Sequence, residues 1–150
     1  MTEPSETADL DQLAEIFSRI PHCQELGMVI TSLEPGKASI HLEYQERLAA
    51  NPETGVVHGG VISTLLDTVS GLRAMSAVSA TTPVATLDLR IDYLKPARPG
   101  DAIIGEANCF KLTNSVAFVR GIAHHGDPEA PIAHSIGTFM LNASGFTSSR

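Results

Sequence analysis

NPETGVVHGGVISTLLD (residues 51–67) begins as a turn, passes through His58-Gly59-Gly60 and runs on with helical periodicity. Continued to residue 78 it predicts a helix of about twenty residues, about 30 Å long. On a 3.6-residue wheel Val61, Ile62, Leu65, Leu66, Val69 and Leu72 form one broad apolar face, the face expected to lie on a sheet. The other side carries Gly60, Ser63, Thr64, Asp67, Ser70, Gly71 and Ala74. A solvated helix surface would carry Lys, Glu, Gln or Arg there, and each glycine costs about 1 kcal/mol against alanine. A stripe of small residues instead admits close approach by another backbone, another copy of the helix or a ligand. Asp67 stands in the middle of that stripe, two turns inside the helix, where it cannot serve as its own N-cap. The plainer alternative is a structural carboxylate, paired with an arginine or capping a neighbouring element.

Working outward, residues 8–20 place Leu10, Leu13, Ile16, Phe17 and Ile20 at helical spacing, with Thr7 or Asp9 as cap and Pro21 as the stop. MVITSL (28–33) and KASIHLEY (37–44) read as a hairpin across Glu34-Pro35-Gly36. Beyond the long helix, VATLDLRIDYL (84–94) sets Ala85, Leu87, Leu89, Ile91 and Tyr93 against Thr86, Asp88, Arg90 and Asp92. Strands at 101–112, 115–125 and 131–141 follow, separated by Pro-, Gly- and Asp-rich turns. Strands grouped on both sides of one helix predict a single α+β domain over 1–150 rather than an alternating parallel one. A bent antiparallel sheet of about five to six strands is expected to wrap the central helix, with flexible tails at 1–7 and 143–150.

The formal net charge of −7, with only ten Lys and Arg residues, argues against a nucleic-acid footprint. A charged fraction of 18% is thin for a surface, which fits a face covered by another subunit. The acidic start MTEPSETADLD is unlike a signal peptide, and no apolar run approaches a membrane span, so a cytoplasmic protein with no membrane partner is expected. Cys23 and Cys109 read as isolated free thiols. His124 and His125 are neighbours on a strand and point to opposite faces, so no metal site is expected. His22, His41 and His134 read as edge or loop residues, and Met28, Met75 and Met140 as core or pocket fillers.

The His-Gly-Gly start adds chemistry. A helix N-terminus exposes unpaired N–H groups with partial positive charge, and glycine lets an anion or a polarised carbonyl oxygen come close. Eight residues from Gly59 to Asp67 correspond to about 12 Å along the axis. That is too far for one small acyl carbon to touch both within a protomer. If both act on one carbon, a second chain must supply one of them.

The stretch 51–67, with TLDLRIDYLKPARPGD (86–101) downstream, resembles the hot-dog acyl-CoA thioesterases, most nearly the phenylacetate-degradation thioesterase-like subgroup of the 4-hydroxybenzoyl-CoA thioesterase superfamily. The resemblance covers residues 24–142. It implies the wrapped-helix fold, a homodimer or homotetramer built as a dimer of dimers, and sites at the interface between protomers. It implies that Asp67 acts as general base on water, or as nucleophile through a transient anhydride. It assigns the Gly59 N–H to the oxyanion, Asn51 to the carbonyl or water, His58 to ordering the helix start and Thr86 to orienting the water. The Asn51–His58 spacing is one residue longer than in some members. Arg98, Lys95 and Arg90 are the implied contacts for the CoA phosphates, with Arg120 a further candidate and Arg73 an interface ion-pair partner. CoA is part of the substrate, so no separate cofactor is implied. A non-catalytic acyl-CoA-sensing domain is the competing reading. A hot-dog hydratase ranks behind it, because no His-Phe-Pro or Asp-x-x-x-x-His pattern surrounds the helix.

Overall fold

A computed structural model describes residues 6–78 and 82–143, with side chains from residue 10 onward. Of the expected tails, residues 1–5 and 144–150 lie outside that range. Among the described residues the helices and strands follow in the order α1 (Glu6–Ser18), α2 (Pro21–Leu26), β1 (Met28–Glu34), β2 (Lys37–Leu42), a single 3-10 turn (Glu46–Leu48), α3 (Gly59–Ser76), β3 (Val84–Tyr93), β4 (Ile103–Leu112), β5 (Val116–His124) and β6 (Ala133–Leu141). The strands make one six-stranded antiparallel sheet in the order β1-β2-β4-β5-β6-β3, and α3 packs across it. This is the α+β hot-dog arrangement expected above.

The alternation around α3 is clearest in the strand β6. In β6, Ala133, Ser135, Phe139 and Leu141 are buried while His134, Ile136, Thr138 and Met140 face outward. Val61, Ile62, Leu65, Leu66, Val69 and Leu72, the whole predicted apolar face, are buried against it. The helix approaches closely because two strand residues beneath it are glycines. A Cβ on Gly105 would stand 2.8 Å from Leu65 Cγ, and one on Gly121 would stand 3.2 Å from Leu66 Cδ2 and 3.3 Å from Ser70 Oγ.

Three readings need correction. Pro21 ends α1 but also opens α2, where proline at the first position loses no helical hydrogen bond; Gly27 then closes α2 in a left-handed conformation. Ser70 and Ala74 are buried at the sheet rather than on the small-residue stripe, so that stripe is narrower than the wheel drew it. Finally, β3 does not alternate without interruption. Its register against β6 shifts between Thr86 and Asp88, a β-bulge at Leu87. The bulge reverses the faces, so that Val84 and Thr86 lie on the α3 side with Leu89 while Leu87 is 52% exposed. Among the described residues no helix is long and apolar enough to cross a membrane.

Candidate active site

The stripe on α3 is partly covered by the chain's own α1 and α2. His22 Nε2 lies 3.3 Å from Thr64 Oγ1, and Cys23 Sγ lies 3.7 Å from Thr68 Oγ1. What the short helices leave open is a groove of about 680 Å³ between α3, β3, β6 and the N-terminal helices. Asp67 lines it beside Ser63, Thr64 and Gly71, facing Thr86, Leu89 and Phe139. Asp67 is half-buried, and its Oδ1 accepts a 2.7 Å hydrogen bond from the Thr86 hydroxyl. The bulge in β3 makes that bond possible by turning Thr86 inward. A fixed donor on one carboxylate oxygen leaves the other free to face the groove.

The second cluster lies at the helix start. His58 is the N-cap of α3, with φ −60° and ψ 135°, and its Nδ1 accepts from the Gly60 N–H at 2.8 Å. Accepting there places the proton of neutral His58 on Nε2. Of the first N–H groups, which no helical carbonyl serves, Val61 donates to His58 O at 3.0 Å. That of Gly59 has no partner among the described residues. Asn51 is exposed; its Oδ1 accepts from the Glu53 N–H at 2.8 Å and its carbonyl accepts from Gly55 N–H at 2.9 Å. Here Asn51 closes the turn that leads into the helix, an Asx turn in form.

The structure therefore joins Asp67 to Thr86, and Asn51 to the loop carrying His58 and Gly59. It keeps the two groups about two helical turns apart, the 12 Å or so that the regular α3 requires. A cavity of about 400 Å³ at the helix start, lined by His58, Gly60 and Arg47, shares His22 and Thr64 with the Asp67 groove.

The basic residues are committed to different degrees. Arg90 reaches Asp92 at 3.3 Å on the exposed side of β3. Arg98 holds Asp101 at 2.7 Å, and that hydrogen bond keeps the Asp101 carboxyl below the usual carboxylate range. The Arg98 backbone N–H donates to His125 Nε2 at 2.9 Å while His125 Nδ1 donates to Ala102 O at 2.8 Å, so one neutral histidine staples this loop. Lys95 is exposed and has no ion-pair partner among the described residues. Arg120 lies over the Phe110 ring at 3.9 Å. Arg73 is buried and donates to Ser76 Oγ at 3.1 Å. His124 is buried 3.4 Å from Glu106, away from the contacts of His125.

Two contributors escaped the sequence. Tyr93, read as one more apolar position, sends its hydroxyl to Gly59 O at 3.2 Å and lies 2.6 Å from Ser63 Oγ, tying the far end of β3 to the helix start. The signal was available, since Tyr93 shares a face with Leu89 and Ile91, the face that must meet α3. The other is α2 with His22, hidden because in sequence Pro21 reads as a helix stop, while the structure starts α2 on it.

Comparison with known proteins adds four findings. A family model described as "Thioesterase superfamily" matches residues 54–132. A putative esterase of Halobacterium salinarum is 37% identical over 94 residues, a match that spans only 61% of either chain. The medium/long-chain acyl-CoA thioesterase YigI of Escherichia coli is 27% identical over 146 residues, covering 88% of this chain and 93% of its own. Among solved structures, a Pseudomonas aeruginosa protein superimposes with a TM-score of 0.79 at 40% identity, covering 87% of this chain and 97% of its own.

Proposed function

The chain belongs to the thioesterase superfamily and is a thioester hydrolase, and we propose that it hydrolyses an acyl-CoA to the free acid and CoA, with Asp67 as its catalytic carboxylate. The observation that carries this reading is the Asp67–Thr86 pair in the groove on α3. A thioester is already activated, because sulfur donates poorly into the carbonyl and thiolate leaves readily. One carboxylate and one oxyanion donor therefore suffice, contributing about 10²–10⁴-fold and 10²–10³-fold.

In the proposed step, water held by Asp67 and the Thr86 hydroxyl adds to the thioester carbon as its proton passes to Asp67. The C–S bond then breaks, and the proton leaves with the CoA thiolate. Direct attack by Asp67, giving an anhydride that water opens, uses the same geometry. The Gly59 N–H of a second protomer would hold the oxyanion, with His58 keeping that helix start in shape through Gly60. Two features support a second protomer. The Gly59–Asp67 rise separates the groups within one chain, and β3 is a ten-residue edge strand with Leu87 and Tyr93 about half exposed. A homodimer, or a tetramer of two dimers, meets both. Lys95 and the Arg98 loop are the proposed CoA phosphate contacts. The medium/long-chain name of the Escherichia coli relative points to aliphatic acyl groups. Membership of the phenylacetate-degradation subgroup would favour aromatic ones.

Thiol release from short, medium and long acyl-CoAs and from phenylacetyl- and hydroxybenzoyl-CoA, read beside sedimentation, tests the reading. Hydrolysis by a dimer or larger species is expected. Binding without hydrolysis would move the sensing reading to first place, and a fully active monomer would overturn the composite site. Thr86→Val keeps the side-chain shape and removes the donor to Asp67. It is expected to lower kcat roughly tenfold, about what one hydrogen bond to a charged group supplies. An unchanged kcat would remove Thr86 from the site.

A further inference from the structure

The Asp67 groove does not end at its own walls. A second cavity of about 410 Å³ lies between α1, α2 and the β1–β2 hairpin, and it shares Phe17, Cys23 and Thr68 with the groove. Ala14 and Phe17 of α1 form one side, and Met28, Ile30 and Ile40 form the other. The helix is held over this space by Leu13, which is wholly buried in the core.

The polar groups at the rim turn elsewhere. Ser18 Oγ donates to Glu15 O at 2.7 Å, and the Glu15 carboxylate accepts from Arg19 at 2.6 Å on the exposed surface. Thr68 Oγ1 faces Cys23 Sγ. The lining is mostly apolar and opens to solvent along Val29, which is 58% exposed, so a hydrocarbon chain laid there would take apolar surface out of water without needing a polar partner.

We propose that this second cavity receives the distal end of an unbranched medium- to long-chain acyl group whose thioester lies at Asp67, and that Phe17 is the partition controlling passage. The proposal rests on the acyl-CoA reading above and specifies the acyl group. A chain bound at Asp67 runs along α3, passes Phe17 and Thr68, and continues beneath α1. A rigid aryl group ends within the first groove and gains nothing from the second. Chain-length preference then resides in α1 and β1, outside the groups that do the chemistry.

The test uses S-alkyl-CoA thioethers from butyl to hexadecyl, which bind without turnover, titrated calorimetrically against the full chain and run beside hydrolysis of the matching acyl-CoAs. Once the chain enters the second cavity, affinity is expected to rise about fourfold per methylene buried. Ile30→Trp fills the cavity from the strand side and Ala14→Phe from the helix side, so that one serves if the other does not fold. Each is expected to reduce the hexadecyl-to-octyl affinity ratio about a hundredfold, while Phe17→Ala, by opening the partition, raises it. Affinity that stays flat beyond the length filling the first groove overturns the proposal, as does a ratio that neither filled variant moves. The two readings fail separately. Graded thioether binding without hydrolysis would reject the enzyme and keep the tunnel, and hydrolysis indifferent to chain length would do the reverse.

Discussion

Asp67→Asn is expected to lower kcat by about 10²–10⁴-fold, the usual contribution of a positioned base, with the oligomer and the fold intact. The substitution is chosen for what it preserves. Asn Oδ1 still accepts from the Thr86 hydroxyl, which donates to Asp67 at 2.7 Å in the native protein. The groove keeps its shape and loses only its proton acceptor. A purely structural carboxylate would pass this test with kcat unchanged, since its hydrogen bond survives, and that result would end the proposal for Asp67. Single turnover in isotope-labelled water detects the anhydride route when water attacks the aspartyl carbonyl, since label in Asp67 cannot arise from general-base catalysis. An anhydride opened at its aspartyl carbonyl leaves label in the Asp67 carboxylate, and general-base catalysis sends all of it to the product acid.

The second large effect concerns how closely α3 lies on the sheet. Leu65 is fully buried, and truncation to alanine is expected to destabilise by about 2–5 kcal/mol through lost contact and residual cavity. Gly105→Ala acts from the opposite side of the same contact. On open backbone this change would stabilise by about 0.4–1 kcal/mol through the unfolded chain. Here the new Cβ would meet Leu65 Cγ at 2.8 Å and Cδ1 at 3.0 Å, so a loss of about 1–3 kcal/mol is expected instead. The double variant decides whether this contact is the cause. With Leu65 truncated the methyl at position 105 has room, and the two effects should fall short of additivity by 1 kcal/mol or so. Urea denaturation at one fixed protein concentration measures all three, because association would make stability concentration-dependent. Strict additivity would mean that Gly105 is there for some reason other than Leu65.

These cases mark where sequence reasoning reached and where it stopped. The apolar stripe Val61–Leu72 and the period-two strands were legible because both are one-dimensional repeats, and burial follows directly from them. The helix start at His58-Gly59-Gly60 was legible as well, from the switch to helical periodicity, whereas the ordering role of His58 came through the family resemblance and its cap bond to Gly60 only from the structure. The bulge at Leu87 was not, because the bond geometry that produces it depends on the partner strand β6. Reading β3 as uninterrupted alternation put Thr86 and Leu87 on the wrong faces, although the assignment of Thr86 to the site came through the family resemblance. α2 was missed for a different reason. The same proline that forbids continuation of one helix suits the start of another, and only the packing of Cys23 and His22 on α3 distinguishes the two outcomes.

By itself, then, the sequence determined the class of fold, the face of α3 that meets the sheet, and the presence of an acid on a surface otherwise made of small residues. Those features depend on residue spacing along one chain, where periodicity and capping act over a few neighbours. Only the tertiary structure decided that Thr86 holds Asp67, that Tyr93 braces the helix start, and that a second cavity beneath α1 adjoins the groove at Phe17. Each of these joins residues far apart in sequence, and which of them meet is set by how the register of the sheet and the packing of three helices close around one another.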